Sequence, residues 1–284
     1  MIHPKHLHPR RHVFHGHAAG VSAHIRRPET QLLNSRACSA LPVTGGHFES
    51  NEGPNSLGKW VSYDSVETSA HGDYSDPGDG VATTRGQKAF DAVPTITRVS
   101  VRVRGLVILG RVHIADLSLG MVLRGAPDTT QPSIHLENNR IEGVVIDQSK
   151  LKIELAEQFY CEHDTHKKLG DAHKKGLPEH HACMFLPCKK DEEEVTSFPE
   201  DDGIVKCTLV QSIAWDGPPH PTASIHGHVV VIPNFGKVYF GEMFLAAHSR
   251  RLTLVRFQLG SDDGGEVSAG DGGTSGQPFP PTGG

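Results

Sequence analysis

A chain of 284 residues with 36% hydrophobic side chains and a mean hydropathy of -0.35 can bury the core of one large β domain or two smaller ones. No apolar run approaches the ~20 residues of a membrane-spanning helix. A formal charge of -5 supplies no general attraction for nucleic acid, although 20 histidines can reverse that sign in mild acid. Five cysteines, Cys38, Cys161, Cys183, Cys188 and Cys207, are an odd number at irregular spacing, which argues against a disulfide framework and for a reducing, cytoplasmic setting.

Residues 1–28 carry His3, His6, His8, His12, His15, His17 and His24 among Arg10, Arg11, Arg26 and Arg27, and lack the continuous apolar segment of a secretory signal. The composition predicts a disordered, histidine-rich tail that chelates transition metals only incidentally. Between Pro28 and Pro94, short apolar pieces separated by Gly, Ser, Asn and Pro predict short edge strands and long loops. Leu41-Pro42-Val43-Thr44-Gly45 matches a sortase sorting signal in letters only. Most of the chain follows it, and Pro42 with Gly45 predicts a turn.

Asp73, Asp76 and Asp79 recur at every third position beside His71. Calcium loops place ligands at alternate positions and end on a glutamate, so this spacing favours a plain Asp-Gly turn cluster. His71 and Asp73 are the one pair with base-and-orienting-acid character, without a serine or cysteine tied to them by any motif.

Residues 95–155 alternate with period two. Val99, Val101 and Val103 point one way and Arg98, Ser100, Arg102 and Arg104 the other, which predicts a half-buried strand with a basic outer face. Apolar runs at 106–109, 112–119, 121–123, 141–146 and 151–155 continue the sheet. Residues 110–119 also match 236–245 class by class, with Gly110 answering Gly236, Val112 Val238, Asp116 Glu242 and Leu119 Leu245. Each copy follows an apolar run, so two strand pairs are expected at equivalent places in facing sheets.

The period changes after Leu151. Leu155, Phe159, Leu169 and Ala172 fall on one helical stripe, and Asp164-Thr165 offers a cap for a second helix. The same insertion holds Cys161, His163, His181, Cys183 and Cys188, whose thiolates and imidazoles are the ligand types zinc prefers. No Cys-x-x-Cys is present and the local pairs are tightly spaced, so zinc is the alternative reading. Residues 189–202, with Asp191-Glu192-Glu193-Glu194, predict an exposed acidic loop.

Residues 204–260 are the densest strand block: four runs rich in β-branched and aromatic residues, broken by turn formers, predict an antiparallel meander. Ile232-Pro233-Asn234-Phe235-Gly236 predicts a hairpin turn. Residues 246–251 read as a longer polar loop with His248, Arg250 and Arg251 at its tip, the block's most site-like loop. Residues 261–284, rich in Gly and Asp, predict a second disordered tail.

Gly-x-Ser-x-Gly, a Walker loop, a dinucleotide fingerprint and His-Glu-x-x-His are all absent. The expectation is therefore a mainly β protein: an antiparallel β-sandwich, jelly-roll-like, over residues 29–260, with a helical and His/Cys insertion at about 155–203. Its expected role is that of a non-catalytic structural or interaction protein that partners protein, as a homo-oligomer, and neither nucleic acid nor membrane. The alternative is a zinc-binding protein, with metal-dependent catalysis, that uses the insertion.

Overall fold

A computed structural model describes residues 11–74, 94–125, 131–175, 188–190, 193–195, 204–260 and 264–279. In chain order the first strands are β1 (Arg11–Ile25), β2 (Gln31–Ala40), β3 (Gly46–Glu52), β4 (Asn55–Leu57), β5 (Val61–Tyr63), β6 (Ser65–Tyr74), β7 (Thr95–Ile108) and β8 (Val112–Gly125). Then come β9 (Ser133–Leu136), β10 (Arg140–Glu142), β11 (Val144–Ile146), β12 (Ser149–Leu155), the helices α1 (Glu157–Glu162) and α2 (His166–Lys175), and the short pair β13 (Cys188–Lys190) and β14 (Glu193–Val195). The last seven are β15 (Val205–Thr208), β16 (Val210–Trp215), β17 (Ser224–His226), β18 (Val229–Ile232), β19 (Gly236–Ala246), β20 (Ser249–Leu259) and β21 (Gly265–Phe279).

These strands form an antiparallel β-sandwich with a short helical insertion. The first sheet runs β17-β18-β19-β20-β21-β1-β2, with β15 also pairing β19. The second is built on the long hairpin β7–β8. Beyond β7 lie β6 and β3 at one end and β5 and β4 at the other, and on the far side of β8 lie β9, β10 and β11, with β12 and β16 beyond β11. β1 and β21 lie over β7 and β8, and β2 lies over β6 and β3. The connections inside each sheet are largely meander hairpins.

Alternating burial drives the pairing. Val99, Val101, Val103, Leu117 and Leu119 of the second sheet meet Val238, Phe240, Val255 and Phe257 of the first in one continuous core. Each such side chain, fully withdrawn from water, contributes about 1.5–3 kcal/mol. The expected turns form: Phe235 N–H donates to Ile232 O at 3.1 Å with Asn234 at φ 57°, and Gly45 N–H donates to Pro42 O at 2.9 Å. The repeated decapeptide also lies where expected. Residues 112–119 are in β8 of one sheet, residues 236–245 in β19 of the other, and each strand is the second arm of a tight hairpin.

Three expectations are corrected. Both supposed tails are central strands: β1 and β21 pair along their whole length, from Arg11 opposite Phe279 to Ile25 opposite Gly265. Their glycine content reflects close packing of the sheets rather than disorder. A Cβ on Gly20 would lie 1.9 Å from Val66 Cγ1, and one on Gly272 would lie 2.8 Å from Leu119 Cδ2. The sandwich thus extends from residue 11 to residue 279.

Second, the run at 204–215 is two strands in different sheets, β15 on β19 and β16 on β12. The chain bends between them at Leu209, whose N–H donates to Gly241 O at 2.7 Å. Third, the acidic segment expected as loop begins within a small hairpin, Cys188 opposite Val195 and Lys190 opposite Glu193. No helix of the described residues is long and apolar enough to cross a membrane.

Candidate functional site

In the insertion that carries the alternative zinc reading, the side chains of two candidates, Cys161 and His163, are described. Cys161 Sγ donates to Leu136 O at 3.4 Å, and His163 Nδ1 bonds Phe159 O at 2.9 Å. A carbonyl only accepts, so Nδ1 carries the proton there. His181 and Cys183 lie outside the described residues, and Cys188 opens β13. Among the described residues no group of three or more His, Cys, Asp or Glu side chains can hold a metal ion.

His71 and Asp73 do not form a dyad. Asp73 Oδ1 accepts from the adjacent Tyr74 N–H at 2.7 Å, while the His71 ring faces that of His47 across β3 and β6 at 5.8 Å. Asp76 and Asp79 lie outside the described residues. The basic face of β7 is neutralised: Arg102 forks onto Asp116 at 2.8 and 3.2 Å, Arg104 pairs Glu67, and Arg98 reaches Glu137 at 3.7 Å. In the facing sheet the echoed carboxylate behaves alike. Glu242 accepts both prongs of Arg256 at 2.6 and 2.8 Å, with that guanidinium stacked 3.8 Å from the Tyr239 ring centre.

The expected polar loop at 246–251 is instead a tight hairpin. Ala246 pairs Ser249, leaving only Ala247 and His248 as the turn, and Arg250 points inward. Its guanidinium is buried (2% exposed) and donates to Ile134 O at 3.4 Å and His163 O at 3.3 Å, tying the insertion to the first sheet. Burial pushes it down to about 10, so it is still a cation at neutral pH. Beside it burial pushes the Cys207 thiol up to about 12.

What the hairpin does open is a cleft of about 250 Å³ on the outer side of the first sheet. His15 and His17 of β1, Ser249 and Arg251 of β20, Gly273 and Ser275 of β21, and Phe244 with Ile204 line it. Strand register explains the grouping, because His17, Gly273, Arg251 and Phe244 occupy one row across four strands. Arg251 gives Nε and Nη2 to Asp271 at 3.0 and 2.7 Å, and Thr253 Oγ1 donates to the same carboxylate at 3.0 Å. Ser275 Oγ and His15 Nδ1 are 3.0 Å apart. Burial lowers His17 from its ordinary value, with Asp271 opposing the shift. Phe244 and Ile204 are large apolar side chains left open to solvent, 39% and 62% exposed.

Sequence reasoning missed this place because its histidines lay in a supposed tail. The available signal was period two: His15 and His17 alternate with buried Phe14, Gly16 and Ala18.

A second surface lies at the β2 and β3 edges of the two sheets. β2 closes the first sheet and β3 the second, and among the described residues neither pairs beyond β1 and β6 respectively. Arg36 of β2 and Glu52 of β3 approach to 4.0 Å, so the two open edges lie side by side. Leu32, Val43 and Phe48 are exposed along this flank, and neither strand carries a lysine or proline.

The architecture is thus that of an all-antiparallel sandwich with a small helical insertion. The chain belongs to the family described as Domain of unknown function (DUF8256), whose model matches residues 12–192 and 166–246, a span that takes in β1 and both helices. No curated protein and no solved structure matches the chain.

Proposed function

We propose that this is a non-catalytic structural or interaction protein that associates with copies of itself through the flank formed by β2 and β3. The observation that supports this reading is the open pair of edges. β2 and β3 each pair along one side only, with β1 and β6, so alternate residues along their other side present backbone donors and acceptors without a described strand partner, and Leu32, Val43 and Phe48 are exposed beside them. An edge of this kind is a template for strand addition unless lysine, proline or a covering element blunts it. Cys38, Cys161 and Cys207 are free thiols, which supports a reducing, cytoplasmic setting.

The test is size-exclusion light scattering of the full chain and of a Leu32→Lys, Phe48→Lys double variant. Both side chains are exposed, so the pair of changes is expected to leave thermal unfolding nearly unmoved, within about 0.5 kcal/mol per site. The expected result is a discrete wild-type oligomer and a monomeric variant with an unchanged β spectrum. A wild-type monomer, or a variant that still assembles, overturns the proposal.

A further inference from the structure

We infer that the cleft bounded by β1, β21 and the β19–β20 hairpin binds a small organic anion with a short apolar chain, an aliphatic carboxylate being the simplest. This rests on different residues from the self-association proposed above and stands or falls separately. Elsewhere on the outer faces, Arg102, Arg104 and Arg256 are each paired with a carboxylate of a neighbouring strand. In the cleft Arg251 is paired likewise, with Asp271 of the adjacent strand, and what differs is the lining. Among the described residues no Asp or Glu lines it, while Arg251, His15 and His17 do. Asp271 lies behind Arg251 and is already engaged by that guanidinium and by Thr253 Oγ1.

The donors are not exhausted by those contacts. Arg251 spends Nε and Nη2 on Asp271 and keeps Nη1. Where Ser275 Oγ donates to His15 Nδ1, the ring proton is on Nε2, which is then a donor. Lys206 Nζ lies 6.0 Å from the Phe244 ring centre, bringing a further positive charge to the rim. An anion entering here meets directed donors, one of them on a guanidinium, the arrangement in which a carboxylate is held by charge-assisted hydrogen bonds.

The apolar wall decides between anions. Phe244 and Ile204 offer nothing to inorganic phosphate or sulfate, whereas a chain of several methylenes laid across them is withdrawn from water together with them. A volume of about 250 Å³ lies below the ~300–1,000 Å³ of drug-sized ligand pockets and suits only a single short-chain molecule.

Hexanoate, hexanol and hexylammonium, titrated into the isotopically labelled full chain and followed by backbone amide NMR, separate charge from chain. The expected result is saturable shifts at Arg251, Gly273 and Ser275 with hexanoate, and affinity weaker by roughly tenfold or more for the alcohol and the amine. Phe244→Ala and Lys206→Gln alter exposed positions and should each weaken hexanoate, while Phe48→Lys on β3 of the second sheet should not. Equal binding of all three probes, no saturable shift at these amides, or hexanoate binding indifferent to Phe244→Ala overturns the inference. None of these outcomes bears on the oligomeric state, so the two proposals fail independently.

Discussion

Arg111 and Asp147 meet as a two-pronged pair across one end of the sandwich. Arg111 Nε donates to Asp147 Oδ1 at 2.9 Å, and Nη2 donates to Oδ2. Arg111 lies in the β7–β8 turn and Asp147 in the β11–β12 turn, and Arg111 Nη1 extends to Pro233 O at 3.4 Å in the turn before β19. His220 completes the clasp. Its Nδ1 accepts from Thr222 N–H at 3.2 Å and Ala223 N–H at 2.9 Å, so Nε2 bears the proton and donates to Asp147 Oδ2 at 3.2 Å. With both nitrogens committed, His220 fastens turns of the two sheets together and is not available as a base.

Asp147→Asn should therefore destabilise the fold by about 1 kcal/mol at neutral pH. The Arg111 guanidinium, then the His220 hydrogen bond, hold the Asp147 carboxyl below the usual carboxylate range. A depressed folded value means that the stabilisation is fully present above the unfolded carboxyl's range, near ~4, and disappears as pH falls through the folded one. Urea midpoints of wild type and Asp147→Asn should differ at neutral pH and converge in strong acid. A gap that persists in acid would show that the carboxylate charge is not what the clasp uses.

Gly20→Ala should cost about 1–3 kcal/mol, because the added methyl would fall 1.9 Å from Val66 Cγ1 and 2.8 Å from Arg36 O. Gly53→Ala, where nothing lies within 4 Å, is the matched control and should be close to neutral. Thermal unfolding of the two variants checks this directly. If both are neutral, the sheets are not held as close at Gly20 as described.

That glycine also explains what could and could not be read from sequence. Where side chains alternate, as at Val99, Val101 and Val103 or along 252–259, period two is visible, and those strands form as expected. β1 and β21 carry the same alternation with Gly and Ala in the inward places, and a glycine facing a sheet has the same letter as one in a disordered tail. The 246–251 segment misled differently: three basic side chains in six residues resemble an open loop, yet Arg250 is withdrawn to reach carbonyls of β9 and the segment before α2. The cleft was not legible, because its row joins four strands whose order depends on β1 and β21 being strands at all.

Cysteine chemistry should divide along burial. The Cys207 thiol is buried and pushed up to about 12, so little thiolate forms there at mildly alkaline pH, while Cys38 is exposed. Site-resolved mass spectrometry after brief iodoacetamide treatment of the native protein should find Cys38 alkylated and Cys207 intact, with Cys207 modified only after denaturation. Native modification of Cys207 at a rate near that of Cys38 would contradict its place in the core beside Arg250 and Tyr160.

His12 supplies the last prediction, in the pH window just above that of Asp147. Its backbone N–H donates to Tyr74 Oη at 3.1 Å and its ring packs edge-on against Phe14 at 4.8 Å, while its Nε2 is buried with no hydrogen-bond partner. Burial lowers the imidazole from 6.5 to about 4. For a base lowered in the folded state, the unfolded chain takes up a proton first, so stability falls as pH drops from the unfolded value through the folded one. His12→Gln removes that titration. Between about pH 6.5 and 4, wild type should lose on the order of 1 kcal/mol more stability than the variant, the partial exposure of the ring reducing the full linkage value. The difference between their denaturant midpoints, plotted against pH, isolates this one group from the other histidines. A flat difference plot would mean that the His12 ring is solvated in the folded protein, and with it the start of β1.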